Sequence, residues 1–235
     1  MQASVNMWEG GLRASGGALV PSKSHWYLIK FLWDAQGRMR YATIKDTPAT
    51  LSVRGPDNTV QPLERLDPHE ARRTLGVRLA VDGNNKAEME HRRQEALNWA
   101  DALRTGRLPR PLAWLHMTTS IYKSLEYPLP ATTFTQADCE FILRPVLCAG
   151  LPSSGISRNF PRALVHAPRR YQGLGLPNLW ISQGVSHLLH ALRHGSHSSI
   201  TGQLLRTSLE SLILDLGLPG CPFLSPIGKC KAYLT

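Results

Sequence analysis

The stretch Val81-Asp82-Gly83-Asn84-Asn85-Lys86-Ala87-Glu88-Met89 is where the chain changes character. Upstream, apolar and aromatic residues fall in short runs cut by turn residues, whereas downstream they recur every three or four positions. Asn84 or Asn85 suits a helix N-cap, and Glu88 stands three residues beyond Asn85, the spacing of a capping box. A helix is therefore expected over residues 86 to about 104, with Met89, Ala96, Ala100 and Leu103 facing inward and Trp99 beside them. Arg92, Arg93 and Glu95 fall on the outer side of that wheel. Strands on one side of residue 83 and helices on the other make an α+β chain.

Working back from that point, residues 3–15 read as a helix carrying Val5, Trp8 and Leu12 and stopping at Gly16-Gly17. Residues 25–33 read as one strand rich in Trp, Tyr, Ile and Phe, and the turn Asp34-Ala35-Gln36-Gly37 leads to a hairpin partner alternating Met39, Tyr41 and Thr43. A second pair is expected from Leu51-Ser52-Val53 across Gly55-Pro56-Asp57-Asn58 to residues 60–66, with a further strand over residues 74–81. The whole is a small antiparallel β-hairpin region. Its aromatic residues Trp26, Tyr27, Phe31 and Trp33 are read as core rather than as a base-stacking surface.

Downstream, helices are expected over residues 111–124, 135–148, 178–194 and 201–216, with Pro-, Gly- and Ser-rich joints at 151–155 and 171–177. The division is therefore 1–83 for the hairpin part, 84–150 for a first helical part and 151–235 for a basic helical extension. The tail after Gly220 carries no clear pattern.

Charge is the informative bulk property. The formal net charge is +10, and no acidic residue occurs between Glu140 and Glu210. Seven arginines lie there, Arg144, Arg158, Arg162, Arg169, Arg170, Arg193 and Arg206, together with five histidines and no lysine. A single-sign stretch of that length suits a polyanion-binding face, and the planar guanidinium fork favours phosphate. The alternative is a basic surface that only confers solubility.

No apolar run approaches the ~20 residues that span a bilayer, and Glu9 with Gly10-Gly11 makes a poor secretory start. The expectation is an intracellular protein, nuclear or cytoplasmic, not secreted and with no membrane partner. The acid-poor start with Arg13 and Lys23 has some features of a mitochondrial address, but Trp8, Gly16 and Gly17 fit one poorly. Cys139, Cys148, Cys221 and Cys230 are too scattered for a disulfide scaffold and read as reduced, structural or free thiols. His187, His190 and His194 share one helical face opposite Leu188, Leu189 and Leu192, and His197 joins them if the helix continues. No nearby Cys or acid completes a zinc set, so no metal is assigned and a polar, phosphate-touching face is preferred. The phosphate loop, the nucleophile elbow and the His-Glu metalloprotease pair are all absent.

A series of short pieces, in order, resembles one family. They are Gly16-Gly17-Ala18-Leu19-Val20-Pro21-Ser22-Lys23-Ser24, Trp26-Tyr27-Leu28-Ile29, residues 66–70 and Thr74-Leu75-Gly76-Val77. Further on come Trp99-Ala100-Asp101, Leu125-Glu126-Tyr127-Pro128-Leu129, Cys139, Pro161-Arg162 and Gly173-Leu174-Gly175-Leu176. Over residues 5–217 the chain resembles the C-terminal part of a non-LTR, LINE-type retroelement reverse transcriptase, an RNA-directed DNA polymerase. The resemblance implies the end of a polymerase palm, then a helical thumb-like part and a helical extension, all bearing on RNA or DNA template-primer.

By the same resemblance Lys23 matches a loop lysine that donates a proton to the leaving pyrophosphate, and Leu75-Gly76-Val77 matches the primer grip. Intact enzymes of this kind hold Mg²⁺ with clustered carboxylates. No two acidic residues are adjacent in this sequence, so no cofactor is assigned to the chain itself. In the family the carboxylate hairpin precedes the first helix, which would put it upstream of Met1 or on another chain. No activity is expected of the isolated chain. Two alternatives stay open, a stand-alone nucleic-acid-binding protein and an inert remnant of a decayed element.

Overall fold

The computed structural model describes residues 1–220; the readings of Cys221 and Cys230 lie outside them. Helices and short strands mix in an α+β chain that forms two compact units, the first of residues 1–91 and the second beginning at Arg92. Among the described residues no helix is long and apolar enough to cross a membrane.

In the first unit, helix α1 (Gln2–Ala14) lies against strand β4 (Ser52–Arg54). The attachment is polar. The Gln2 amide donates to the Ser52 carbonyl at 2.7 Å and accepts from the Ser52 N–H at 3.0 Å, copying a strand's own pairing. Lower down, buried Glu9 accepts from the Arg54 N–H at 3.3 Å and from Arg13 at 3.1 Å. Met7 and Trp8 stay exposed on the helix's far side, so of the expected stripe Val5 and Leu12 are half-covered and Trp8 is open.

The strands are three residues each and form four separate pairs. Where one strand was expected over residues 25–33 there are two, β1 (His25–Tyr27) and β2 (Phe31–Trp33), because they pair with different partners. β1 runs parallel to β6 (Glu64–Leu66), with buried Trp26 opposite Arg65, whose guanidinium sits 5.2 Å from the indole centre. β2 turns through Asp34 and Gly37 into β3 (Met39–Tyr41) as an antiparallel hairpin. β4 pairs with β5 (Val60–Pro62) in a second hairpin.

The last pair corrects the reading of residues 74–81 as one strand. β7 (Arg72–Thr74) and β8 (Val77–Leu79) face each other, and Leu75-Gly76 is the two-residue turn between them. Both turn residues have positive φ, 50° at Leu75 and 88° at Gly76, as a type I′ hairpin demands. Leucine is a poor occupant, since its Cβ is crowded in the left-handed region and the side chain is 88% exposed. Leu75→Asn is therefore expected to raise stability by about 1 kcal/mol, seen as a higher urea midpoint at unchanged slope.

Helix α2 (Lys86–Thr105) crosses from the first unit into the second. At its start Glu88 is fully buried and accepts from the Arg78 N–H at 2.7 Å, while the Asn84 side-chain Oδ1 accepts from the Lys86 N–H at 2.8 Å. Ala96, Ala100 and Leu103 are buried as expected, with Met89 half-covered. Arg92, placed outside by periodicity, is instead buried; its guanidinium lies 2.7 Å from Glu95 and 3.4 Å from the Ser124 carbonyl. A long aliphatic stem with a paired head can occupy a covered face that hydrophobic spacing alone does not mark.

The rest of the second unit is helical. α3 (Arg110–His116) passes through a wider π turn at Met117–Ile121 into α4 (Tyr122–Glu126), and Met117, Ile121, Tyr122 and Leu125 from this run are all buried. α5 (Gln136–Ser153) opens on a capping box of Thr135 and Asp138 and continues five residues past the expected end, to Ser153, although Pro145 and Pro152 lie inside it. Pro145 cannot donate to the Phe141 carbonyl four residues back. The Arg93 guanidinium donates to that carbonyl instead, and stacks 4.1 Å from the Phe141 ring centre. Arg93 is thus no solvated outer residue either. α6 (Arg162–His166), α7 (Leu179–His194, capped by Asn178) and α8 (Ile200–Asp215, capped by Ser199) complete the unit. Cys139 is buried, and burial pushes its thiol up to about 11, so it stays protonated.

Candidate nucleic-acid interface

All seven arginines of the acid-free stretch are exposed, and none forms an ion pair with any described residue. Acids of the same unit had the opportunity to fold onto them and did not. Glu140 is one turn from Arg144 on α5, the usual place for a pair, yet its carboxylate accepts from the Gln136 amide at 2.8 Å. In the first unit several arginines do pair with acids. Arg13, Arg38, Arg40 and Arg72 are held by Glu9, Asp34, Asp46 and Glu64. Hydrogen bonds from Arg40, then from Thr43, hold Asp46 well below the usual carboxylate range, so the Arg40 charge is committed.

The local fold explains where the free arginines stand. Arg162 opens α6 behind Pro161, and Arg169 and Arg170 form a short turn with Tyr171. The chain then comes back along α6, with the Leu174 N–H on the Leu164 carbonyl at 2.9 Å and the Leu176 N–H on the Val165 carbonyl at 3.0 Å. That return passes so close that a Cβ on Gly173 would sit 2.0 Å from the Ala167 carbonyl oxygen, which accounts for glycine there. The turn presents Arg170 over the Tyr171 ring at 4.8 Å.

Arg144 and Arg162 are brought together, eighteen residues apart in sequence, on the walls of one cleft of about 460 Å³ between α5, α6 and the cap of α7. His166 joins them from α6. At the far end of α7, Arg193 is exposed, and Arg206 of α8 donates to the Gly195 and His197 carbonyls at 3.0 and 3.2 Å. Between Asn178 and Arg193, α7 spans about 22 Å. That is the length of roughly six nucleotides of stacked strand.

His190 and His194 stack with ring centres 5.5 Å apart and His197 lies 6.3 Å from His194. Among the described residues no His, Cys, Asp and Glu side chains gather into a group that could hold a metal ion.

Lys23 ends a short 3-10 turn, Pro21–Lys23, exposed and without an acid partner among the described residues. Leu75 and Gly76 form a hairpin tip, with Val77 buried beneath. Gly76, which falls inside the strand expected over residues 74–81, is instead a turn glycine.

Sequence alone does not reveal two features. His166 is one of the five histidines of the acid-free stretch, and its place follows from α6, a helix too short to show periodicity. Phe31 and Trp33, read as core, are 44% and 66% exposed, and with Tyr41 they line one face of the β2–β3 hairpin, ring centres 5.2 and 6.4 Å apart. A two-stranded ribbon has nothing stacked on that face within its unit, so aromatic composition did not mean burial. No family model, no curated protein and no solved structure matches the chain.

Proposed function

We propose that the chain binds nucleic acid, without sequence preference, by setting unpaired guanidiniums of its second unit against backbone phosphates. The observation that carries this is the set of seven exposed arginines with no carboxylate partner among the described residues, in a unit that has carboxylates to offer. Phosphate contacts position a protein without reading bases, and they dominate affinity. Titration of a labelled duplex and a labelled single strand across salt tests it. Micromolar binding that weakens steeply with salt is expected; a folded chain with no salt-sensitive binding to either would overturn it.

The resemblance extends this reading to a template-primer grip in the C-terminal part of a LINE-type reverse transcriptase. In that setting Lys23, with no acid partner among the described residues, would serve the leaving pyrophosphate, and the Leu75-Gly76 tip would approach the primer. The exposed faces of Trp8, Trp33 and Met39 support the part of this reading in which a further palm segment covers the first unit. The 235-residue chain alone is expected to give no primer extension with Mg²⁺ or Mn²⁺, since no two of its acidic residues are adjacent in sequence and the carboxylates among its described residues make no metal-holding group. Extension surviving rigorous removal of host polymerases would sink that expectation. A stand-alone binder with no catalytic duty is the second reading, favoured by the same unpaired arginines.

A further inference from the structure

Arg144 and Arg162 line a single concavity and neither is ion-paired among the described residues, although Glu140 lines it too and accepts from Gln136 instead. Two like charges held on one cleft repel each other, and a ligand bringing negative charge relieves that repulsion. The His166 ring has its Nδ1 3.1 Å from the Leu176 carbonyl, which can only accept. Nδ1 therefore carries the hydrogen, and Nε2 is the atom left for a ligand. Between these polar groups the wall is apolar, made by Leu143 and Leu147 of α5. A volume of about 460 Å³ lies in the range of small-ligand sites, and a concave, largely apolar site with a few convergent polar groups is how such ligands are held.

We propose that this cleft seats one nucleotide of a single strand, its phosphate taken by Arg144 and Arg162 and its base laid against Leu143 and Leu147. Glu140, acceptor-only when ionised, suits the amino edge of that base. A paired duplex keeps its bases inside the helix and cannot offer one to a cleft, so the site distinguishes single strand from duplex where the outer arginines do not. The inference rests on the nucleic-acid reading above and adds to it a nucleoside phosphate as the recognised unit.

The test uses the full chain and a substitution that fills the cleft while leaving every charge in place. Ala163 is exposed on α6 and lines the cleft. Ala163→Trp is expected to weaken a fluorescent single-stranded oligonucleotide at least about tenfold, while duplex affinity and its salt slope stay as they were. Ala163→Leu, a smaller intrusion, should give a lesser loss in the same direction, and thermal unfolding of both variants checks the fold. Nucleoside 5′-monophosphates should compete with the single strand better than inorganic phosphate or unphosphorylated nucleosides, which separates a nucleotide seat from a bare anion site. Undiminished single-strand binding in both folded variants overturns the cleft and leaves the outer arginines standing. Equal competition by inorganic phosphate also overturns it. Loss of duplex and single-strand binding in the unsubstituted chain would instead overturn the broader reading.

Discussion

Replacing Arg158, Arg162, Arg169 and Arg170 together by Gln is expected to flatten the salt dependence of duplex binding by several units of slope. Each phosphate neutralised by an arginine releases condensed counterion, so log affinity falls with log salt at about −0.9 per contact. Four contacts give a slope near −3.6, and affinity then drops on the order of a hundredfold between 50 and 200 mM salt. Glutamine keeps polarity and much of the length, so the change isolates charge. The four side chains are exposed and carry few packing duties, although Arg162 donates to the Arg158 carbonyl at 3.3 Å and Arg169 lies against Gly175. Unfolding midpoints for both proteins therefore belong beside the binding curves.

The matched control is Arg38, Arg40 and Arg54 replaced by Gln. Arg38 is 2.9 Å from Asp34 and Arg40 2.7 Å from Asp46, so removing either also leaves a carboxylate unpaired and little free positive charge is lost from contact with phosphate. Of the three, Arg54 alone has no acid partner among the described residues, and the slope should change by about one unit at most. Equal effects from the two sets would reduce the acid-free stretch to a solvated basic surface.

What could be read in advance follows the range of the physics. Helices with a periodic stripe and a polar cap, such as α7 behind Asn178, are local, and their limits lie within a residue or two of expectation. The Asp34–Gly37 turn is local as well. The errors lie where a distant residue changes the rule. α5 runs through Pro145 because Arg93, from another helix, supplies the donor that proline lacks. Arg92 is buried because a paired head makes it tolerable beneath α4. Leu75 sits in a turn because pairing of Thr74 with Val77 sets the register there, against leucine's own preference. The site divides in the same way. The arginine excess is a count anyone can make, but that Arg144 and Arg162 meet in one cleft, and that Glu140 declines to pair, depends on the course of α5 and α6 in space.

Gln183→Leu should cost the second unit about 3–4 kcal/mol, the largest effect expected from a single exchange. The Gln183 side chain is 5% exposed on the inner face of α7 and makes three hydrogen bonds. It accepts from the Thr132 hydroxyl at 3.2 Å and from the Phe134 N–H at 3.0 Å, and donates to the Phe134 carbonyl at 2.9 Å. The amide thus does for residues 132–134 what a strand partner would do, tying the entry of α5 to α7. Leucine has similar size and adds apolar burial, but it leaves the Phe134 N–H and carbonyl without that partner in a covered position. Each orphaned backbone group costs about 1–3 kcal/mol, more than the added burial returns. At about 2–4 °C per kcal/mol the unfolding midpoint should fall by roughly 10 °C. Gln203→Leu, the same exchange on the exposed side of α8, should stay within about 0.5 kcal/mol. Because α7 carries the Asn178 end of the cleft and the Arg193 end of the arginine set, a partly loosened α7 should also weaken single-strand binding before the unit unfolds. A cost below about 1 kcal/mol would mean that the Phe134 backbone finds other partners and that the amide does not hold α7 in place.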